Sequence, residues 1–316
     1  MHKKKVAIIG ANGFIGISIS EALSKRGYKV YGFIRNDNSS YHNIYKNLKI
    51  NTIVVGDLEE IQNINLQGKK FDYIINLAAR AHITQDLSKK GNKVIKNLNN
   101  IERNIVKNFD VKNAKLIQLS SAKVKLNGTS LPITDSELVY INAKLKSESI
   151  IRQNFEKYII LRPPLIYGPY VKANFLALIK AIDLGLPLPF LNLENFRSYL
   201  YVENLIDLIL KVIEKNKFLN NFYYVSDGEA ISTKHLADLI ANHLSKKPLY
   251  FYINKNLLFF LAKVIRKQSL LNKVIGDFVI NNNKITEDLN WIPKYNLNLG
   301  IKNTCFWYKT MFKMKN

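Results

Sequence analysis

The sequence predicts an α/β protein in which a doubly wound parallel sheet forms the first half and a smaller α/β lobe forms the C-terminal half. Short apolar runs alternate with helix-like segments through the first half of the 316 residues. This alternation is typical of βαβ units with right-handed crossovers. It ends where five prolines cluster between Pro163 and Pro189, which indicates a change of architecture.

The apolar runs define the predicted strands in chain order. The first, "KVAIIG", is continuously apolar and ends in glycine, as a buried parallel strand does. A helix is predicted over Ile17–Arg26, with Gly27 at the position after its C-cap. Further strands are predicted at "KVYGFI", "NTIVVGD", "FDYIINLAA" and "AKLIQLSS". After about residue 220, short strands mix with helices such as His235–Ser245.

Composition excludes several classes of protein. With 47% hydrophobic and 22% charged residues the chain is globular. The net charge of +23 is typical of nucleic-acid binding, but the lysines are dispersed and no basic run exceeds Lys3–Lys5. We therefore predict no nucleic-acid partner. The longest apolar stretch, Asn256–Ile265, is shorter than the roughly 20 residues that span a bilayer, so we predict no integral membrane segment.

Cysteine and histidine usage bounds the redox and metal chemistry. The single cysteine, Cys305, excludes an internal disulfide and suits a reducing compartment, so we expect a cytoplasmic protein. The five histidines show no metal-ligand spacing, and the chain has no CxxC pair. No metal site is predicted.

A glycine-rich turn follows the first predicted strand and opens a helix. Gly10, Gly13 and Gly16 have GxxGxxG spacing. They permit a tight turn, a close approach to a pyrophosphate and close helix–strand packing, while the helix N-terminus offers free N–H groups. A purely structural turn is the alternative. The context favours a Rossmann-type dinucleotide site, with candidate cofactor contacts at Gly10, Asn12, Gly13, Phe14, Ile15 and Gly16.

The end of the second strand bears on which dinucleotide binds. An NAD site usually has an acidic residue there, which accepts a hydrogen bond from the ribose 2′-hydroxyl. This chain has Ile34 and Arg35 instead, and the next acid is Asp37. Arg35 could pair with a 2′-phosphate, or it could be an ordinary surface arginine. We predict NADP.

Two YxxxK matches occur, and their surroundings separate them. Tyr45–Lys49 lies between the second and third strands, without a candidate partner. Tyr140–Lys144 begins a helical stretch, where residues four apart share a face. It also follows the strand that ends in "LSSA" (Leu119–Ala122), which brings serine to the carboxyl edge of the sheet, where ligands bind. We predict that Tyr140–Lys144 is catalytic and that Tyr45–Lys49 is accidental.

The chemistry explains why these residue types belong together. A phenol with a pKa of about 10 is a poor proton carrier at neutral pH, and a neighbouring ammonium lowers that pKa. The same lysine can hydrogen-bond the nicotinamide ribose. A serine hydroxyl can donate to the substrate oxygen where negative charge develops. Hydride transfer to or from nicotinamide would then be matched by proton transfer at Tyr140.

On these motifs the chain resembles the extended short-chain dehydrogenase/reductase superfamily, in its sugar-nucleotide epimerase/dehydratase branch. The matching pieces occur in the family's order: "GANGFIG", "GDL", "NLAA", "LSSA", Tyr140xxxLys144 and "LRPPLIYGP". The resemblance implies an NAD(P)-binding domain over residues 1–165, with a return segment at about 196–215. It implies a substrate-binding lobe over about 166–195 and 216–316.

The resemblance also assigns roles by matching position. Ser121 becomes the catalytic serine beside Tyr140 and Lys144. Arg197, in "FRSYLYVENL", matches an arginine that binds the substrate diphosphate, and Asn174 falls in the substrate loop. Further cofactor contacts are implied at Asp57, Leu58, Leu77, Ala78, Ala79, Lys144 and Pro163.

Longer motifs such as "LRPPLIYGPYVKANF" and "YYVSDGEAIST" look like a bacterial subgroup of UDP-sugar 4-epimerase-like proteins from surface-polysaccharide clusters. Some of its members are regarded as reductases of UDP-2-acetamido-2,6-dideoxy-4-hexulose. The predicted function is therefore a C4 reductase of a UDP-sugar that uses NADP. A UDP-hexose or UDP-N-acetylhexosamine 4-epimerase with tightly bound NAD stays open, as do a non-catalytic nucleotide-binding scaffold and a homodimer.

The chain also departs from the family pattern. Ile141 replaces the usual glycine after the catalytic tyrosine, and "VKLNG" replaces the usual "VYG" or "VNG". The segment between Ser121 and Tyr140 is shorter than is typical. Ala122 and Lys123 stand where a dehydratase carries Asp-Glu, which argues against dehydration.

Overall fold

The computed structural model describes most of the chain. The described residues are 3–36, 47–48, 50–58, 60, 63–66, 68–78, 99–126, 133–254 and 276–313. Tyr45, Lys49 and Ala79 lie outside them, so their predicted roles stay predictions. The chain divides into two compact units, one of residues 1–162 and 206–224, the other of residues 163–205 and 225–316.

The first unit is built on a seven-stranded parallel sheet. Its strands lie at Lys5–Ile9 (β1), Lys29–Ile34 (β2), Asn51–Val54 (β3), Tyr73–Asn76 (β4), Lys115–Leu119 (β5), Tyr158–Arg162 (β6) and Asn221–Tyr224 (β9). Their spatial order is β3-β2-β1-β4-β5-β6-β9, and every neighbouring pair is parallel. The order reverses between β1 and β4, as in a Rossmann-type doubly wound fold. The predicted fold class is confirmed.

Helices flank this sheet. They lie at Phe14–Lys25 (α1), Asn100–Asn108 (α2) and Asp135–Asn154 (α3), with a short 3-10 helix at Ala122–Leu126. Strand β6 is buried at all five positions, and β1 at four of five, because helices cover both faces of such a sheet. Residues 206–224 complete the unit because Asn221–Tyr224 pairs with β6.

Helix α3 begins earlier than the sequence suggested. Its first residue is Asp135, five residues before Tyr140. Thr134 caps it: the Thr134 side chain accepts from the Glu137 N–H, and the Glu137 carboxylate accepts from the Thr134 N–H. This capping box satisfies two N–H groups that a helix start otherwise leaves without a partner.

The second unit combines a three-stranded sheet with helices. The strands are Leu165–Tyr167 (β7), Arg197–Tyr201 (β8) and Ala230–Ile231 (β10), in the order β10-β8-β7. Its helices are Ala173–Asp183 (α4), Thr233–Leu244 (α6), Asn283–Leu289 (α7) and Leu297–Lys313 (α8). Helix α6 packs against both α4 and α8. A further helix, Val202–Glu214 (α5), begins in this unit and ends in the first. Among the helices that the structure describes, none combines the length and apolarity needed to cross a bilayer.

Candidate active site

The glycine-rich turn joins β1 to α1. Gly10 has a φ of +80°, and its N–H donates to the Phe33 carbonyl in β2 at 3.1 Å. A Cβ at position 10 would lie 3.2 Å from the Ala78 backbone nitrogen. Both the left-handed conformation and the close approach of the chain after β4 therefore require glycine here.

The start of α1 is open to an anion. Gly13 is the N-cap residue and provides no side-chain cap, and the first turn of the helix holds no acidic residue. A Cβ on Gly16 would overlap the carbonyl oxygens of Gly10 and Ala11, so only glycine lets the helix pack this close to the turn. The first N–H groups of the helix and its dipole, with no acidic residue in the first turn, suit the pyrophosphate of a dinucleotide.

Two predicted cofactor contacts, Arg35 and Asp57, lie close together at the carboxyl edge of the sheet. Arg35 directly follows β2, and Asp57 lies three residues beyond β3. The Arg35 Nη2 and Asp57 Oδ2 atoms are 3.4 Å apart, with 62% of the Arg35 side chain exposed. The sequence predicts both residues as cofactor contacts, but it does not predict the ion pair between them. Leu58, next to Asp57, is buried.

The end of β4 carries a buried polar cluster that the sequence reading missed. The Asn76 side-chain oxygen Oδ1 accepts from the Ala78 N–H at 3.2 Å, and the Asn76 side-chain Nδ2 donates to Gln118 Oε1 at 2.9 Å. The buried Glu102 carboxylate lies 3.4 Å from both amides. The cluster fixes the turn containing Leu77 and Ala78. The sequence does offer a signal for this cluster, because Asn76 is a polar residue at the end of an otherwise apolar strand.

Ser121 lies just beyond the carboxyl end of β5. The preceding Ser120 N–H donates to the Leu161 carbonyl in β6 at 2.8 Å, which extends the sheet contact by one residue. The Lys123 backbone N–H donates to Ser121 Oγ at 3.2 Å. Because that oxygen accepts from the backbone, the hydroxyl proton of Ser121 is left to donate elsewhere.

Tyr140 and Lys144 lie one turn apart on α3. Lys144 is only 8% exposed and lies on the buried face with Glu137, Ile141 and Glu148, while Tyr140 is half-buried. Within the described part of the chain no carboxylate or other acceptor is paired with the Lys144 ammonium. An ammonium has three donors and is suited to the hydroxyls of a bound ribose. Ile141, at 0% exposure, uses its side chain as core.

Two carboxylates of α3 hold the serine segment, and neither was anticipated from the sequence. The Ser120 hydroxyl donates to Glu148 Oε1 at 2.6 Å, and Lys123 Nζ lies 2.8 Å from Glu137 Oε1. Arg162 in turn binds Glu148: its Nε donates to Oε1 at 2.9 Å and its Nη2 donates to Oε2 at 2.6 Å. The α3 register was a usable signal, because 137, 141, 144 and 148 share one helical face.

The predicted substrate residues lie in the second unit. Arg197 opens β8; its Nη1 donates to the Gly276 carbonyl, and its guanidinium lies 5.7 Å from the Phe278 ring centroid. Burial lowers the pKa of Arg197 from its ordinary value. Asn174 is exposed in the first turn of α4. Pro163, a predicted cofactor contact, is buried directly after β6.

The same unit contains a partly buried carboxylate, Asp227. It accepts from the Tyr201 N–H at 2.9 Å, the Asn204 amide at 2.8 Å and the Tyr167 hydroxyl at 3.0 Å. Burial raises the pKa of Asp227 to about 6, against the lowering effect of these hydrogen bonds. Burial likewise raises the pKa of Tyr167. Among the described residues, no three His, Cys, Asp or Glu side chains are grouped as metal ligands.

Known proteins are similar to this chain in sequence and in fold. The model of the NAD dependent epimerase/dehydratase family matches residues 6–225. The chain is 28% identical over 320 residues to the UDP-glucose 4-epimerase of Vibrio cholerae, covering 95% of this chain and 94% of that one.

Two solved structures show the same fold. One is UDP-glucose 4-epimerase with UDP-glucose from Thermotoga maritima, at a TM-score of 0.70 and 21% identity, covering 97% of this chain and 99% of that one. The other is the Bordetella bronchiseptica enzyme WbmH in complex with NAD+, at a TM-score of 0.73 and 15% identity, covering 98% and 100%.

Proposed function

The chain belongs to the NAD dependent epimerase/dehydratase family, and on that premise we propose that it reduces the C4 keto group of a UDP-2-acetamido-2,6-dideoxy-4-hexulose. The observation that carries the proposal is the Tyr140–Lys144 turn, with Lys144 buried and the serine segment fixed against the same helix by Glu137 and Glu148. The product would be a precursor of a surface polysaccharide.

The relatives support the substrate class. The Vibrio relative is a UDP-glucose 4-epimerase, and the Thermotoga structure contains UDP-glucose. We extend this to a UDP-sugar for the present chain. In the second unit, Arg197 is proposed to pair with the diphosphate through its guanidinium, and Asn174 to contact the sugar nucleotide. The basic net charge would also attract such an anion.

The proposed chemistry divides the work among three side chains. When bound, the nicotinamide cofactor supplies the hydride for the sugar carbon. Tyr140 donates the matching proton to the C4 oxygen, and the Lys144 ammonium four residues later stabilises the negative charge left on the phenol. The Ser121 hydroxyl, whose oxygen already accepts from Lys123, donates to the same C4 oxygen as charge develops on it.

The cofactor is proposed to be NADP(H). The glycine turn, with Asp57, Leu58, Leu77, Ala78 and Pro163, would hold the dinucleotide, and Lys144 its nicotinamide ribose. Arg35 supports the phosphorylated form because its guanidinium is largely exposed at the edge of the sheet. A 2′-phosphate would have to share that guanidinium with Asp57. NAD is the alternative, since WbmH was solved with NAD+.

The test measures loss of NADPH fluorescence with the 4-keto sugar, beside an NADH control. We expect stoichiometric loss of NADPH and a reduced sugar product.

Tyr140→Phe should lower kcat by about 10²–10⁴-fold, because it removes the proton donor and keeps the ring. Tyr252→Phe, at an exposed tyrosine of the second unit, is the control and should keep full activity. A Tyr140→Phe variant as fast as the parent would disprove the mechanism. Equal kinetics with NADH and NADPH, unchanged by Arg35→Ala, would disprove the cofactor assignment.

The second candidate function is a 4-epimerase that keeps NAD bound. It is favoured by the similarity to the Vibrio enzyme over nearly the full chain. It predicts no net loss of NADPH, and instead conversion of UDP-N-acetylglucosamine to its 4-epimer with added NAD. If the protein is a non-catalytic scaffold, cofactor would raise its melting temperature and neither substrate would be converted.

We also propose a cytoplasmic location and no nucleic-acid partner. Whether the chain forms a homodimer is to be measured by light scattering.

A further inference from the structure

An ion pair beside Ser121 has no part in the proposed chemistry. Lys123 lies on the 3-10 helix after β5, and Glu137 lies in the first turn of α3. Their side chains are 25% and 7% exposed, and Nζ lies 2.8 Å from Oε1. Fully exposed ion pairs contribute little to stability. This carboxylate is largely withdrawn from water, so removal of its partner leaves a desolvated charge.

The Glu137 carboxylate is fixed in place by its own helix. Its Oε2 atom takes part in the capping box, 3.5 Å from the Thr134 N–H and 3.2 Å from Thr134 Oγ1. Its Oε1 atom is thereby presented to Lys123 without the usual freedom of a glutamate side chain. One carboxylate therefore closes the N-terminus of α3 and holds the segment that carries Ser121.

A short series of contacts connects the serine to the tyrosine. The Lys123 N–H binds Ser121 Oγ, the Lys123 side chain binds Glu137, and Glu137 precedes Tyr140 by three residues on the same helical face. On the far side of the Tyr140–Lys144 turn, Ser120 binds Glu148. The serine segment is attached to α3 at two points that bracket the turn.

We propose that the Lys123–Glu137 ion pair is a positioning device that sets Ser121 against the Tyr140–Lys144 turn. This inference rests on the proposed function, in which both side chains face one substrate oxygen. A displacement of about 1 Å at a reacting group costs on the order of 10²-fold in rate.

The chain allows the ion pair to be separated from the cap. Glu137→Gln keeps a capping box, since glutamine serves equally at this position, and removes the charge. Lys123→Met removes the other partner, and Lys123→Arg restores a cation. Thr134→Val removes the cap and keeps the ion pair, and Lys146→Met changes an exposed lysine of the same helix.

We expect Glu137→Gln and Lys123→Met to lower kcat by roughly 10-fold to 100-fold, with the KM values for sugar and cofactor unchanged within about twofold. Lys123→Arg should recover most of kcat. Thr134→Val keeps both charges but frees the Glu137 carboxylate from one contact, so it should melt earlier and lower kcat less than Glu137→Gln does. Lys146→Met should equal the parent. If only Lys123→Met were slow while Glu137→Gln kept full kcat, Lys123 would act on the substrate and the positioning role would be wrong.

A second readout does not depend on turnover. Amide hydrogen exchange of residues 120–124 is measured in the purified chain without substrate, and Glu137→Gln should exchange faster there than the parent. If the parent converts no sugar nucleotide, the proposed function fails while the exchange comparison still tests the ion pair. Unchanged protection in Glu137→Gln overturns the inference, as does a rise in KM without a fall in kcat. If Lys123→Met does not fold, Glu137→Gln decides the outcome.

Discussion

The two units bury a carboxylate in opposite ways. In the first unit, Glu148 is bound by the guanidinium of Arg162 through two hydrogen bonds, at 2.9 and 2.6 Å, and by Arg152 at 3.0 Å. In the second unit, Asp227 is held by neutral donors: the Tyr201 N–H, the Asn204 amide and the Tyr167 hydroxyl. Glu148 is fully buried and Asp227 is partly buried, and only Glu148 has a counter-charge among its described partners.

The difference shows how the source of the donors sets the response to pH. Burial by itself lowers the pKa of Arg162, but the hydrogen bonds and charge of Glu148 outweigh burial and raise it. For Asp227 burial outweighs the neutral hydrogen bonds and raises its pKa to about 6. The helix that carries Tyr140 and Lys144 is thus attached to the sheet through an arginine–carboxylate ion pair, whereas the second unit contains a carboxyl group whose pKa is raised to about 6.

The largest expected effect breaks the charged arrangement. Arg162→Met leaves Glu148 buried without its main cation, and we expect the free energy of unfolding to fall by about 3–5 kcal/mol, measured by urea denaturation. The control is Arg26→Met, which removes an ion pair to Glu214 with both side chains about half exposed; it should cost at most about 1 kcal/mol. Equal losses in the two variants would contradict the distinction.

The next effect is the pH dependence that Asp227 imposes. Its folded pKa of about 6 lies above its ordinary value of 3.8, so the folded state binds the proton more tightly than the unfolded state does. Its contribution is fully present below pH 4 and is lost as the pH rises to about 6. At about 1.4 kcal/mol per pKa unit this amounts to about 3 kcal/mol.

The measurement compares urea denaturation of the parent and Asp227→Asn at several pH values between 4 and 7. The difference in unfolding free energy between the two proteins should change with pH in that window and be constant above it. A difference that does not vary between pH 4 and 6 would mean that Asp227 keeps its ordinary pKa.

A smaller effect tests the hydrogen bond from the neutral Tyr167 hydroxyl to Asp227. Tyr167→Phe removes one donor to Asp227 and keeps the buried ring, so we expect a loss of about 1 kcal/mol. Because the hydrogen bond from Tyr167 lowers the pKa of Asp227, its removal should move the titration above pH 6. Carbon-detected NMR titration of the carboxyl group measures this shift, and an unmoved titration would exclude the hydrogen bond.

The smallest effect concerns the outer cation. Arg152 is 42% exposed and contacts a carboxylate that Arg162 already satisfies. Arg152→Ala should therefore lower the free energy of unfolding by about 0.5 kcal/mol or less, measured by the same urea denaturation. A loss comparable with that of Arg162→Met would show that the two arginines hold Glu148 jointly.

The features that the sequence predicted are those encoded locally. The continuous apolar run of β1 and the glycine spacing after it lie within a dozen residues, and they sufficed for the sheet and its turn. Tyr140 and Lys144 share a face because helical periodicity places them there. Their catalytic roles, and those of the cofactor contacts, stay predictions.

The features that the sequence did not predict depend on distant residues meeting. Glu148 and Arg162 are 14 positions apart, and Tyr167 and Asp227 are 60 apart, and no local pattern says which acid is buried. The early start of α3 is a different case. Thr134 and Glu137 have capping-box spacing in the sequence, which indicates a helix start five residues ahead of the YxxxK motif.

The early start of α3 has a kinetic consequence. Helix ends fray, and residues in the first turn share in that opening. Tyr140 is the sixth residue of a 20-residue helix whose end is closed by Thr134 and Glu137. Its backbone therefore lies beyond the turn that frays first, so the Cα atom that carries the proposed proton donor has a fixed place in the helix between turnovers.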